Sequence, residues 1–338
     1  MTLNEIWFIL IFVLLAGYAV LDGFDLGVGV LVLLNRDDRD RRFYINAIGP
    51  VWDGNEVWLL TGGGALFAAF PPVYATVFSG FYLALMLVLA CLIFRAVAME
   101  FRGKVDSPQW RIVWDTALGV SSLLLAVLFG VAFGNVLRGV PIADDGSYGG
   151  TFFGLLNIFA LIIGLLALAA FIMHGAIYLC CKYEPAQERL AKYAQIGWVA
   201  TLVLFAVATI AAMGMAPTLL APAKSNPIAW LAMALLAAGV VTVPMALSRR
   251  RFNTAFLGSS TMIGAMMALA AIGLFPRLLP SLNDPATRTM TIDNSSSSHL
   301  TLLVMLVIAL VGMPLVIAYT AVIHHVFRGK VSITPESY

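Results

Sequence analysis

The chain has 338 residues, of which 61% are hydrophobic and 11% are charged, and its 20 basic and 18 acidic residues give a formal net charge of +2. About a quarter of the residues of a soluble globular domain are charged, so this composition excludes an ordinary soluble protein. The small and dispersed net charge also argues against a nucleic-acid partner. The composition therefore predicts an all-α polytopic membrane protein.

Apolar stretches long enough to cross a bilayer recur along the chain. A helix needs roughly 20 apolar residues to cross about 30 Å of hydrocarbon. We expect the first stretch to remain as a helix rather than to be cleaved as a signal peptide, because no basic cluster precedes it. Nine stretches predict nine transmembrane helices, near residues 6–34, 51–70, 75–99, 112–137, 152–181, 194–216, 227–247, 255–277 and 300–327.

The basic residues predict the orientation of these helices. Short cytoplasmic loops retain Lys and Arg, and an external amino terminus places sixteen of the 20 basic residues on the cytoplasmic side. The sixteen are Arg36, Arg39, Arg41, Arg42, Arg95, Arg102, Lys104, Arg111, Lys182, Arg189, Lys192, Arg249, Arg250, Arg251, Arg328 and Lys330. We therefore predict an external amino terminus and a cytoplasmic carboxyl terminus.

Two aspartates interrupt the first apolar stretch, in LDGFDLGVGV at 21–30. Asp22 lies about 20 Å along a helix from Arg36, which predicts a position near mid-membrane, and Asp25 shares its face at i, i+3. A carboxylate at that depth costs about 2.5–3.5 kcal/mol on insertion scales. We interpret the pair as proton-conducting or ion-handling. The alternative is that both acids only hydrogen-bond to neighbouring helices, which the glycines of this stretch bring close.

A second acidic pair opens the next stretch, in VWDGNEVW at 51–58. Asp53 and Glu56 also have i, i+3 spacing, although an ordinary interfacial helix start between two tryptophans would look the same. Together with Asp22 and Asp25 they predict a ladder of exchangeable carboxylates that rises from the cytoplasmic face. Arg95, at the inner end of the third stretch, is a candidate counter-ion, unless it extends to the interface.

The histidines and cysteines give no metal or catalytic site. Bis-histidine haem ligation needs two histidines at matched depth, and only His174 lies well inside a predicted helix. We interpret it as a hydrogen-bonded core residue. Cys91, Cys180 and Cys181 lack C-x-x-C spacing and are interpreted as packing residues.

Several stretches resemble subunit II of the cytochrome bd-type quinol oxidases. They are YAVLDGFDLGVGVL (18–31), INAIGPVWDGNEVWLLTGGGALFAAFPPVYATVFSGFY (45–82) and GVAFGNVLRGVP (130–141), with shorter matches at 155–157 and 295–305. The resemblance is dense over 15–141 and looser afterwards. It implies a single transmembrane domain over 1–338, made of two four-helix bundles (1–140 and 150–280) and a ninth helix (300–327).

The resemblance also implies the partners and the role of the chain. Subunit I carries the haems, b and d or b only, and the quinol-oxidising loop, so no cofactor is expected on this chain. A small single-helix subunit accompanies many members, and some bind a quinone in subunit II. The acidic positions of the family's proton path correspond to Asp22, Asp25 and Asp53 of this chain.

We therefore predict a haem-free subunit II of a quinol:dioxygen oxidoreductase of aerobic respiration, in a bacterial or archaeal plasma membrane. It would support subunit I and carry protons from the cytoplasm for the reduction of oxygen to water. Two alternatives remain at this point. One is an ion-coupled secondary transporter that uses the mid-membrane carboxylates, and the other is a purely structural partner.

Overall fold

The structure is a computed structural model that describes residues 1–331. Residues 332–338, with the carboxyl terminus that we predict to be cytoplasmic, lie outside the described part. Helices form most of it: α1 Leu3–Leu34, α2 Asp38–Ile48, α3 Trp52–Ala69, α4 Pro71–Gly80, α5 Tyr82–Phe101, α6 Pro108–Arg138, α7 Ile158–Lys182, α8 Gln187–Met215, α9 Pro227–Ser248, α10 Phe252–Leu274, α11 Pro285–Arg288 and α12 His299–Val326. Two short antiparallel strands, β1 Arg277–Leu279 and β2 Met290–Thr291, lie between α10 and α12.

Eight helices of the described part are long and apolar enough to cross a membrane: α1, α5, α6, α7, α8 with the turn before it, α9, α10 and α12. This confirms the prediction of an all-α polytopic membrane protein. α3 has 18 residues but is not among the eight, because Asp53, Asn55 and Glu56 lower its hydropathy. The count of nine therefore stays a prediction.

Some predicted boundaries differ from the observed helices, and local capping explains where. Residues 35–50, expected as a basic loop, contain α2, whose start is capped by the Asp37 side chain accepting from the Arg39 amide at 2.8 Å. The predicted span 75–99 is divided at Phe81, where the non-helical backbone separates α4 from α5. The predicted span 152–181 begins later, at Ile158, because Asn157 caps α7.

α1 is the central helix of the molecule and contacts α2, α3, α6, α7, α10 and α12. Its backbone meets that of α7 directly. A Cβ atom on Gly27 would lie 1.8 Å from the carbonyl oxygen of Phe171, and one on Gly175 would lie 2.8 Å from the carbonyl oxygen of Phe24. Small residues at a helix crossing permit this approach in membranes, so the two glycines set the distance between α1 and α7.

We predict that Gly27→Ala destabilises the protein, because the added methyl group overlaps the α7 backbone. Overpacking of this kind costs about 1–3 kcal/mol, and more where backbone must move. Gly63→Ala on α3 is the matched control, since nothing lies within 4 Å of the Cβ position there. Apparent Tm in detergent should fall for Gly27→Ala and stay near wild type for Gly63→Ala; equal values would contradict the packing of α1 on α7.

Candidate functional site

A buried cluster of charged side chains joins α1 to α5. Asp22, Asp25 and Arg95 are all 0% exposed. Arg95 binds Asp22 with both terminal nitrogens: Nη1 donates to Oδ2 at 2.8 Å, and Nη2 donates to Oδ1. Nη2 also lies 3.9 Å from Oδ2 of Asp25. Two carboxyl groups thus share one guanidinium, and Asp22 takes the bidentate position.

α3 contributes Asn55 to this cluster. The Asn55 side-chain amide donates to Oδ2 of Asp25 at 2.7 Å and to the carbonyl oxygen of Leu21 at 3.2 Å. Oδ1 of Asp25 and Nε of Arg95 are buried without a hydrogen-bond partner among the described residues. Asp25 is therefore hydrogen-bonded through one carboxyl oxygen only, whereas Asp22 is hydrogen-bonded through both. The sequence-based prediction had missed Asn55 as a site residue.

The acid pair lies at the level where α3 begins. Asn55, in the first turn of α3, contacts Asp25, while Ala69 at the other end shares an apolar cluster with Trp7. α1 continues beyond Asp25 to Leu34, roughly 13 Å further. Both acids are thus nearer the Leu34 end of α1 than its Leu3 end, and their depth in a membrane stays a prediction.

Asp53 and Glu56 occupy other faces of the first two turns of α3. Asp53 is exposed and Glu56 is half-buried. Glu56 is close enough for electrostatic interaction with Arg95 and Asp22. The structure therefore brings Asp22, Asp25 and Arg95 into one cluster, with Glu56 at its edge and Asp53 on the surface of the chain.

A second ion-pair network, absent from the sequence-based prediction, lies beyond the acid pair. Asp115 of α6 is buried and accepts from Nε of Arg102 at 2.5 Å and from Arg41 at 3.1 Å. Arg102 also donates to Asp38 at 2.6 Å, and Arg111 donates to Asp38 at 2.9 Å. Partial burial opposes ionisation of Asp38, but these two arginines hold its pKa below the usual value. The network fastens α2 to α5 and α6.

Hydrogen bonds and an ion pair also hold the opposite side of α2. Asp40 accepts a hydrogen bond from the Tyr183 hydroxyl at 2.6 Å and another from Arg189. Burial opposes ionisation here too, yet these bonds keep the pKa of Asp40 below its ordinary value. Tyr178 also donates to the carbonyl oxygen of Ala47 at 3.0 Å. We call the end of the molecule that carries α2 and the turns at 102–107, 183–186 and 249–251 the basic end.

His174 is a hydrogen-bonded core residue, as interpreted from the sequence. Its Nδ1 lies 2.7 Å from Oγ of Ser259, and its Nε2 lies 3.1 Å from the carbonyl oxygen of Val20. Both ring nitrogens are thus engaged, so this histidine does not fit an axial haem ligand. Within residues 1–331, no three His, Cys, Asp or Glu side chains are grouped to hold a metal ion.

The fold and the buried charge cluster together define a multi-pass α-helical membrane protein in which one arginine partly neutralises a buried pair of carboxyl groups. The family model described as "Cytochrome bd terminal oxidase subunit II" matches residues 3–327. The chain belongs to this family.

Individual relatives support this family assignment. Cytochrome bd-I ubiquinol oxidase subunit 2 of Escherichia coli (strain K12) is 39% identical, over 98% of this chain and 95% of the relative. Cytochrome bd ubiquinol oxidase subunit 2 of Bacillus subtilis is 35% identical, over 98% and 97%. The solved structure of the bd oxidase from Geobacillus thermodenitrificans matches with a TM-score of 0.79 at 18% identity, covering 97% of this chain and 99% of that chain.

These findings confirm the predicted function as subunit II of a cytochrome bd-type quinol oxidase. They also favour it over the ion-coupled transporter, since the family and each of these relatives are named as oxidase subunits.

We predict that Asp115→Asn destabilises the protein by about 3 kcal/mol, because breaking a buried ion pair leaves its partner uncompensated. Glu188→Gln is the matched control at the same end of the molecule: its pair with Arg250 is exposed and should contribute less than about 1 kcal/mol. Thermal unfolding in detergent measures both. An Asp115→Asn variant as stable as Glu188→Gln would refute the inferred role of the buried network.

We predict that Arg95→Met sharply lowers the yield of folded protein, because it leaves two buried carboxyl groups without a cation, at about 3–5 kcal/mol for a broken buried pair. The double variant Asp22→Asn, Arg95→Met removes one charge of each sign and should recover part of the yield. Size-exclusion profiles of the purified protein measure the recovery. No recovery would mean that Arg95 does not serve mainly to neutralise Asp22.

Proposed function

We propose that this chain is the haem-free partner of subunit I and provides the path by which cytoplasmic protons reach the oxygen-reducing centre. The observation that carries the proposal is the charge arrangement at the buried cluster. Asp22 is bound on both oxygens by Arg95, whereas Asp25 keeps one oxygen without a partner. Asp25 is thus the carboxyl group that is free to accept and release a proton.

The proposed topology has nine transmembrane helices: the eight long apolar helices and α3. Eighteen helical residues are about 27 Å long, close to the thickness of the hydrocarbon layer. α1, α3, α5 and α6 would form one four-helix bundle, α7 to α10 the second, and α12 the additional helix. The amino terminus would be external and the basic end cytoplasmic, in agreement with the retention of Lys and Arg on that side.

The acids then have distinct roles. Asp53 and Glu56, at the start of α3, would take protons from the basic end, and Asp25 would receive them in the buried cluster. Asp22 would keep Arg95 in place beside Asp25. Because quinol oxidation would release protons outside while oxygen reduction consumes protons from inside, uptake through this chain would build a membrane potential.

The partners follow from the family. Subunit I would hold the haems, b and d or b only, which supply the electron-transfer and oxygen chemistry when bound. A small single-helix subunit, membrane lipid and a bound quinone complete the proposed complex. The engaged ring nitrogens of His174 agree with placing the haems on subunit I.

We predict that Asp25→Asn and Asp53→Asn slow quinol-driven oxygen consumption while leaving haem content unchanged. Loss of a proton-transferring group costs about 10²-fold or more at a step it limits, so the effect should be largest for Asp25→Asn. Asp106→Asn is the control, since this carboxylate is 96% exposed at the same end of the molecule. Turnover of Asp25→Asn at the level of Asp106→Asn would leave only the structural-partner alternative.

A further inference from the structure

The last helix brings two polar side chains to the level of the acid pair. α12 runs beside α1, and Nε1 of Trp7 donates to the carbonyl oxygen of Leu302 at 3.0 Å, which sets the register at the far end. At the near end, Tyr319 lies 3.2 Å from the Cβ position of Gly54, next to Asn55. The following residue, Thr320, is thus close in level to the start of α3. His324 lies one turn nearer the basic end on the same face.

Both side chains carry buried polar atoms without a partner. Oγ1 of Thr320 and Nε2 of His324 make no hydrogen bond within residues 1–331, and the same holds for Oδ1 of Asp25. The His324 ring lies 6.3 Å from the ring of Phe24, the neighbour of Asp25 in α1. Buried polar groups are almost always hydrogen-bonded to protein or to ordered water. Ordered water at these three atoms would satisfy them.

We propose that His324 and Thr320 form a hydrated proton route from the basic end of α12 to Asp25. This inference rests on the proposed function of Asp25 and adds an intake on α12, separate from Asp53 and Glu56 on α3. The route starts from two unpartnered polar atoms one turn apart on α12, at the level where α3 begins. His325, the next residue, is exposed and lies outside the route.

One proton crosses the route in three transfers. The His324 ring and the Thr320 hydroxyl must then reorient, and Asp25 must pass its proton on, before the next proton can follow. A ring nitrogen of His324 accepts a proton from water at the basic end, and the ring releases a proton to water on the Thr320 side. The Thr320 hydroxyl accepts a proton on oxygen as it donates its own to the next water. Asp25 then takes the proton on Oδ1. No bond other than those to hydrogen changes, and no electrons are transferred.

The surroundings of His324 differ from those of His174. Lys182 of α7 is close enough for its charge to act on His324. Its ammonium group donates to the carbonyl oxygen of Phe327 at 2.6 Å, which holds the end of α12 against α7. The two ring nitrogens of His174, on the other side of Phe24, are already engaged. His324 is thus the histidine of this aromatic cluster that has a ring nitrogen without a partner.

The test uses the assembled oxidase complex in proteoliposomes, with quinol-driven oxygen consumption and proton uptake as readouts. His324→Ala and Thr320→Val should each slow turnover by about 10-fold with unchanged haem content, less than loss of Asp25 because water partly replaces them. Added imidazole should restore His324→Ala but not Thr320→Val. His325→Ala, the adjacent control, should behave as wild type.

The outcomes separate this inference from the proposed function. If Asp25→Asn slows turnover while His324→Ala and Thr320→Val match His325→Ala, protons do not enter along α12 and the inference is overturned. If Asp25→Asn has no effect, the proposed function itself fails. If His324→Ala does not assemble, Thr320→Val, which preserves side-chain shape, decides between normal turnover, which rejects the route, and slow turnover, which supports it.

Discussion

The structure depends on the cost of placing charge where water is scarce. A buried carboxylate is tolerated only when a cation or hydrogen-bond donors compensate it. Arg95 compensates one carboxylate fully, and its bidentate contact with Asp22 uses both terminal nitrogens. Asp25 lies 3.9 Å from the same guanidinium, so the positive charge compensates its carboxyl group only in part. Its one hydrogen bond comes from Asn55. One fixed ion pair beside one incompletely held acid is an arrangement suited to proton exchange.

The surrounding helices keep this arrangement in place. α1 supplies both acids and meets the backbone of α7 at Gly27 and Gly175, so it cannot rotate without a clash. α2 lies over the basic end and is fastened on one side by Asp115 and Arg102 and on the other by Asp40. These outer pairs are complete, so they stabilise the fold. The incompletely paired carboxyl group is that of Asp25, to which we assign the proposed change of protonation state.

The residues predicted from sequence were those whose chemistry conflicts with their surroundings. Asp22, Asp25 and Arg95 are charges in apolar stretches, so local composition alone marks them. Asn55 was missed because its importance comes from contact with Asp25, thirty positions away. α2 was missed because charged residues dominate its first turns, and its apolar side becomes evident only against α1 and α7.

The central proposal is that Asp25 gains and loses a proton while Asp22 stays bound to Arg95. Infrared difference spectroscopy of the assembled complex, recorded between oxidised and reduced states in H₂O and D₂O, measures this directly. We expect a carboxylic-acid C=O band that shifts in D₂O, persists in Asp22→Asn and disappears in Asp25→Asn. A difference spectrum unchanged by Asp25→Asn, or a band lost only in Asp22→Asn, would contradict the account.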